Sequence, residues 1–223
     1  MMKILTIVFT LIAASLSAAA KQRPNIVFMF SDDHAIKAIG AYGQGFHQTP
    51  NIDRLAASGV VFENSYCANS ICGPSRACVL TGKHSHKNGF RTNEKDFDGS
   101  QVTFPKLLQK AGYQTALIGK WHLGLNSDPV GFDHWEILFG QGKYYQPEFY
   151  RNDANGKRIS RKIEGYVTDI VTDLSLQWME KRDKEKPFLL MCQHKAPHRS
   201  FAPPVRYLQR YRDREFHEPA TLF

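Results

Sequence analysis

The sequence lacks several features that would decide its class at once. After the first twenty residues it has no second long apolar run, which argues against a polytopic membrane protein. It holds no internal repeat and no low-complexity linker, so a solenoid or a disordered tether does not fit. Cysteine is scarce, at positions 67, 72, 78 and 192, and no pair has C-x-x-C spacing, which leaves little basis for a zinc cluster. Acidic residues fall short of basic ones, 21 against 29, giving a formal charge of +8 and a pI near 9.3. Such a surplus suits an anionic partner without choosing among nucleic acid, anionic lipid and sulfated or phosphorylated sugar.

What is present reads as a globular chain. With 223 residues, 42% hydrophobic and 22% charged, it can bury a sizeable core in one large or two small domains. Residues 1–20 carry a cation at Lys3, an apolar run and a small-residue end, the layout of a secretory signal cleaved near Ala19 or Ala20. The mature chain is therefore expected outside the cytoplasm, periplasmic or secreted, with no membrane span after cleavage and no nucleic-acid partner. An oxidising compartment would permit two disulfides in any of three pairings, so a disulfide at Cys72 stays open.

Strand and helix signals alternate along the chain. NIVFMF at 25–30 fits a buried strand that stops at SDDH, and Thr49 to Gly59 has an N-cap, a first-turn proline and a terminal glycine. Residues 60–63 look extended. Thr103 to Gly112 repeats the capped-helix pattern, and 113–118 is the next strand, running into GKWH. From 166 to 182, Val167, Ile170, Val171, Leu174 and Trp178 share a helical face, and 187–192 follows as a strand. Residues 123–165, rich in Gly, Asn, Tyr and charge, are expected to form long loops. This alternation predicts an α/β sheet covered on both faces.

Candidate chemistry follows the strands. Asp32 and Asp33, Lys120 with His122, and His194 with His198 each stand after a predicted strand, where open α/β sheets place their ligands. Adjacent carboxylates suit a hard divalent cation. Lys120 and His122 alternate on an extended segment, so a fixed cation and an imidazole titrating near neutrality could point the same way. The loop between His194 and His198 could present an acid to a leaving group. Pro74 favours a helix start, which places Cys72 at an anion-favouring N-terminus with Arg76 four residues on. His84, His86 and Lys87 are read as solvated loop.

The string CGPSRACVLTG at 72–82 resembles the signature of the type I sulfatases, whose cysteine a separate maturation enzyme oxidises to Cα-formylglycine (3-oxoalanine). The resemblance runs from RPNIV at 23–27 onward and takes in SDDH at 31–34, GKWHLG at 119–124 and HKAPH at 194–198. It implies an alkaline-phosphatase-like fold with a central, mostly parallel sheet flanked by helices, here its N-terminal portion over 21–223. By the same resemblance Asp32, Asp33 and the formylglycine at Cys72 would bind Ca²⁺, or alternatively Mg²⁺. Arg76 would steady the aldehyde hydrate, Lys120 would hold a sulfate oxygen, His122 would contact the formylglycine hydroxyl, and His198, with His194 as second candidate, would face the leaving oxygen. One hydroxyl of the hydrate attacks sulfur and the other later expels sulfate. An ordinary serine or cysteine would be left as a stable sulfated adduct.

NSICGPSR at 69–76 with TGKHSHKNGF at 81–90 most resembles exported bacterial sulfatases acting on N-acetylglucosamine-6-sulfate in glycosaminoglycans or mucin glycans. The family's second-half metal ligands and its further sulfate-binding lysine have no counterpart before Phe223, so an N-terminal fragment, inactive on its own, is expected. Three alternatives remain: a sulfatase for another glycan position, a related phosphatase, and an exported module that binds anionic glycans through basic loops.

Overall fold

The computed structural model describes residues 23–43, 47–216, 218 and 220–222; the predicted signal segment lies outside them. Six strands form one sheet: β1 (Ile26–Phe30), β2 (Gln114–Lys120), β3 (His134–Leu138), β4 (Glu148–Asn152), β5 (Arg158–Lys162) and β6 (Phe188–Gln193). Their spatial order is β1-β6-β2-β3-β4-β5. The first four in that order run parallel, and β4 and β5 add an antiparallel edge.

Strand composition follows position. β6 is buried along its whole length and β2 at every residue but its first, as expected of parallel strands covered on both faces. The two-residue side-chain period sorts them into two cores. Leu117, Ile137, Leu189 and Met191 face Ala77 and Leu80 of helix α2 (Cys72–Thr81) and Phe104 and Leu108, which belong to α4 (Phe104–Lys110). Ala116, Ile118, Leu138, Leu190 and Cys192 face Val167, Ile170 and Val171 of helix α5 (Val167–Lys181). Among the described residues two further α-helices are α1 (Pro50–Ser58) and the short α3 (Ser85–Asn88). No described helix is long and apolar enough to cross a membrane.

Three expectations need correction. The strand at 26–30, expected to be buried, lies at the sheet edge and exposes Val27 and Met29. Residues 60–63 lie outside any strand and are exposed. Residues 123–165, expected as loops, contain β3, β4 and β5. The hairpin was hidden because it is held by polar groups. Ser160 and Tyr150 both bond Glu148, and Arg161 pairs with Glu136 of β3, so the usual apolar alternation is missing.

Because β1, β6 and β2 are adjacent and parallel, their C-terminal ends open on the same edge of the sheet. The loops leaving them are stitched together there. His194 N–H donates to the Phe30 carbonyl at 2.7 Å, and Asp32 N–H to the Ala196 carbonyl at 3.2 Å.

Candidate active site

Helix α2 delivers Cys72 and Arg76 to this edge. The helix begins at Cys72, and Pro74 sits in the first turn, where an amide hydrogen has no helical partner to lose. The Gly73 N–H is taken instead by Asn93 Oδ1 at 2.9 Å. A Cβ on Gly73 would lie 2.8 Å from Asn93 Oδ1, from the His122 carbonyl oxygen and from Phe90 Cε1, so the helix start packs too closely for any larger residue.

Arg76 is 3% exposed and donates from Nη1 to the Lys120 carbonyl at 2.7 Å and to Gln193 Oε1. Its Nη2 stands 3.4 Å from Asp32 Oδ2, and neither Nη2 nor Nε has a hydrogen-bond partner. A buried guanidinium with two unused donors is a poor structural element and a ready anion holder. Lys120, wholly buried at the end of β2, donates from Nζ to Asp32 and, at 2.8 Å, to Gln141 Oε1.

Charge follows from this packing. Burial works to raise the Asp32 pKa, but Arg76 first and Lys120 second outweigh it and hold the carboxyl below its ordinary value. Burial lowers Lys120 against the pull of Asp32. His122 leaves the strand with φ 53°, so the expected alternation ends at Lys120. Burial, then Lys120 and Arg76, push its imidazole down to about 4, and the ring is therefore neutral near pH 7 rather than titrating there. Its buried Nδ1 is unpartnered.

Asp32, Cys72 and His198 each offer one ligand-type atom, and these atoms lie within 4.8 Å of one another. Asp33, with φ 58° and a half-exposed side chain, reaches to 3.7 Å from His198 Nε2. The structure thus gathers Asp32, Asp33, Cys72, Arg76, Lys120, His122 and His198. His194 is set apart: its Nε2 sits 3.4 Å from Cys192 Sγ, and burial alone lowers its pKa. All four cysteines are free thiols, so no disulfide occupies Cys72.

Some neighbours carried no sequence signal as site residues. Gln193 and Gln141 orient the two buried cations, and the Tyr144 hydroxyl donates to the His198 carbonyl, with burial raising that phenol to about 12. Gln193 closes β6, so a strand-end position was its one available clue. Against a glycan-binding module built on basic surface loops stands the burial of the central cations, which contact a carboxylate rather than solvent.

The chain is similar to proteins of known family. A family profile described as Sulfatase matches residues 24–219. An N-acetylglucosamine-6-O-sulfatase of Bacteroides thetaiotaomicron is 52% identical over 98% of this chain and 39% of its own length. Human N-acetylgalactosamine-6-sulfatase is 33% identical over 82% of this chain and 41% of its own. A solved structure of BT4656 in complex with its substrate D-glucosamine-2-N,6-O-disulfate superimposes with a TM-score of 0.83 at 54% identity, over 89% of this chain and 40% of that one. The chain spans about two fifths of the length of these relatives. On the profile match, the identities and the shared alkaline-phosphatase-like sheet, the chain belongs to the sulfatase family.

Proposed function

We propose that the protein hydrolyses sulfate esters on glycans, with the 6-O-sulfate of N-acetylglucosamine as its target, outside the cytoplasm. One observation carries the reading: Asp32, Cys72 and His198 converge within 4.8 Å beside a buried arginine with two unused donors. The identity to an N-acetylglucosamine-6-O-sulfatase supports the sulfate position.

The donor set fits a divalent cation. Asp32 supplies a carboxylate oxygen within the cluster, the exposed Asp33 carboxylate stands beside it at His198, and the Cys72 sulfur marks where an oxygen would stand after conversion to formylglycine by a maturation enzyme. Asp32, Asp33 and residue 72 would hold Ca²⁺ or Mg²⁺, which supplies charge neutralisation at the sulfate and at the nucleophile. Formylglycine supplies a nucleophilic oxygen that can later be regenerated.

The chain's own residues then divide the work. Arg76 directs Nε and Nη2 at the nucleophilic oxygen and a sulfate oxygen, and Gln193 and the Lys120 carbonyl fix the guanidinium plane. Lys120 shifts its ammonium from Asp32 onto sulfate, with Gln141 keeping it oriented. His122, uncharged, exchanges a hydrogen bond with the oxygen at position 72. His198, steadied through its backbone by Tyr144, donates the proton that the departing sugar oxygen needs.

The test is a panel of 2-, 3-, 4- and 6-sulfated monosaccharides offered to the complete protein matured in a host with the maturation enzyme. Sulfate should be released fastest from the 6-sulfate of N-acetylglucosamine. Preference for a 3- or 4-sulfate overturns the assigned position, and no release from any ester overturns the activity.

A further inference from the structure

Beside the cluster just described lies a cavity of about 510 Å³, walled in part by Gln141, Lys143, Tyr144, Lys195, His198 and Arg199. Among the described residues no carboxylate lines it, whereas three cations do. Lys143 and Arg199 are exposed at its rim, and Lys195 is 4% exposed. The Lys195 ammonium sits 4.8 Å from the centre of the Tyr144 ring. It makes no hydrogen bond or ion pair among the described residues. An ammonium resting on a ring face at a cavity wall, its donors unmet by protein groups, is placed to hold an anion that enters the cavity. Arg76 and Lys120 already pair with Asp32, so Lys195, which Asp32 and Asp33 reach only through space, adds positive charge beside that cluster.

We propose that this cavity receives the sugar that carries the scissile ester, and that Lys195 binds a second anionic substituent on that sugar. The inference rests on the sulfatase reading, because it places the sugar on the His198 side, where the leaving oxygen must be protonated. His198 lines both the cluster and the cavity, and Gln141 spans from the Lys120 ammonium to the cavity wall. A sugar whose ester oxygen points at His198 extends into this space, and its other charged group meets Lys195 at the floor and Lys143 and Arg199 at the mouth. Lys195 is thereby a specificity-determining residue, selecting doubly charged over singly charged sugars.

The experiment compares glucosamine-2-N,6-O-disulfate with N-acetylglucosamine-6-sulfate on the complete, matured protein and its Lys195→Met and Lys195→Arg variants. In Lys195→Met the preference for the disulfate should fall about tenfold, chiefly through KM, the loss expected for one charge-assisted hydrogen bond. Lys195→Arg should recover most of it. Lys143→Ala and Arg199→Ala, at exposed positions that tolerate truncation, should each lower the preference about two- to threefold. An equal change on both substrates overturns the proposal. Calorimetry with glucosamine-2-N-sulfate, which has no ester to cleave, separates this idea from the activity. Binding about tenfold weaker in Lys195→Met supports it even if no ester is hydrolysed, and wild-type protein that binds this sugar no better than glucosamine refutes it even if 6-sulfates are cleaved.

Discussion

Arg76 Nη1 donates a 2.7 Å hydrogen bond to the backbone carbonyl of Lys120, tying α2, one turn past Cys72, to the end of β2. One guanidinium therefore joins the element that carries Cys72 to the strand that carries the buried lysine, and its Nε and Nη2 are left without a hydrogen-bond partner. Replacing it by lysine keeps the charge and loses the planar fork. Arg76→Lys should lower kcat/KM on N-acetylglucosamine-6-sulfate about 10- to 100-fold, the range for losing one charge-assisted hydrogen bond. Steady-state kinetics beside a denaturation curve checks this, and activity within threefold of wild type would count against Arg76 as an anion holder.

Asp32 and Asp33 predict linkage between metal and stability. Calcium at a hundredfold excess over its Kd should stabilise the complete protein by about 2.7 kcal/mol, and a chelator should reverse the rise in Tm. Asp32→Asn should abolish the response, and the more exposed Asp33→Asn should weaken it. A calcium-induced shift in both variants equal to that of wild type would remove the two carboxylates from the metal site.

Gly119 lies in β2 with φ 110°, and a Cβ there would stand 2.0 Å from the Gln193 carbonyl oxygen on the adjacent strand. Backbone cannot yield as a flexible side chain can. Gly119→Ala should cost roughly 3 kcal/mol or more, through strain combined with a parted ladder. A urea midpoint unchanged from wild type would show that the strands can separate freely at this point.

His122 gives a signed pH dependence. Its folded pKa, lowered to about 4, lies below the ordinary value of 6.5. Above pH 6.5 the ring is neutral in both states and its contribution to stability is complete. As pH falls from 6.5 toward 4 the unfolded chain takes up the proton first, so stability declines across that window. Substitution by the permanently neutral Asn in His122→Asn should flatten the acid side of the stability profile. An identical slope in wild type and variant would mean the imidazole is not held neutral by its surroundings.

Legibility in the sequence followed the strength of the local signal. β2 and β6 were readable because central parallel strands are apolar throughout, β1 because its run is apolar although it lies at the sheet edge, and helices α1 and α4 because Thr and Pro open them. The β4–β5 hairpin was not, since Glu148, Ser160 and Arg161 spend their side chains on cross-strand polar contacts. Six of the seven gathered site residues follow from strand ends or from the Cys-x-Pro-Ser-Arg string, and Lys120 closes its strand. Gln141, Tyr144 and Gln193 act through contacts made across long stretches of chain, which no local pattern announces. His194 follows a strand like the others, yet its ring turns toward Cys192 instead of the cluster.

The central claim is that residue 72, presented beside Asp32 and Arg76, is the point at which sulfur is attacked. Tryptic mass spectrometry of its peptide, from protein made with the maturation enzyme present, tests this most directly. The account predicts a mass about 18 Da below that of the cysteine peptide, the difference between a thiol and an aldehyde side chain. A peptide that keeps its thiol in such material would contradict it.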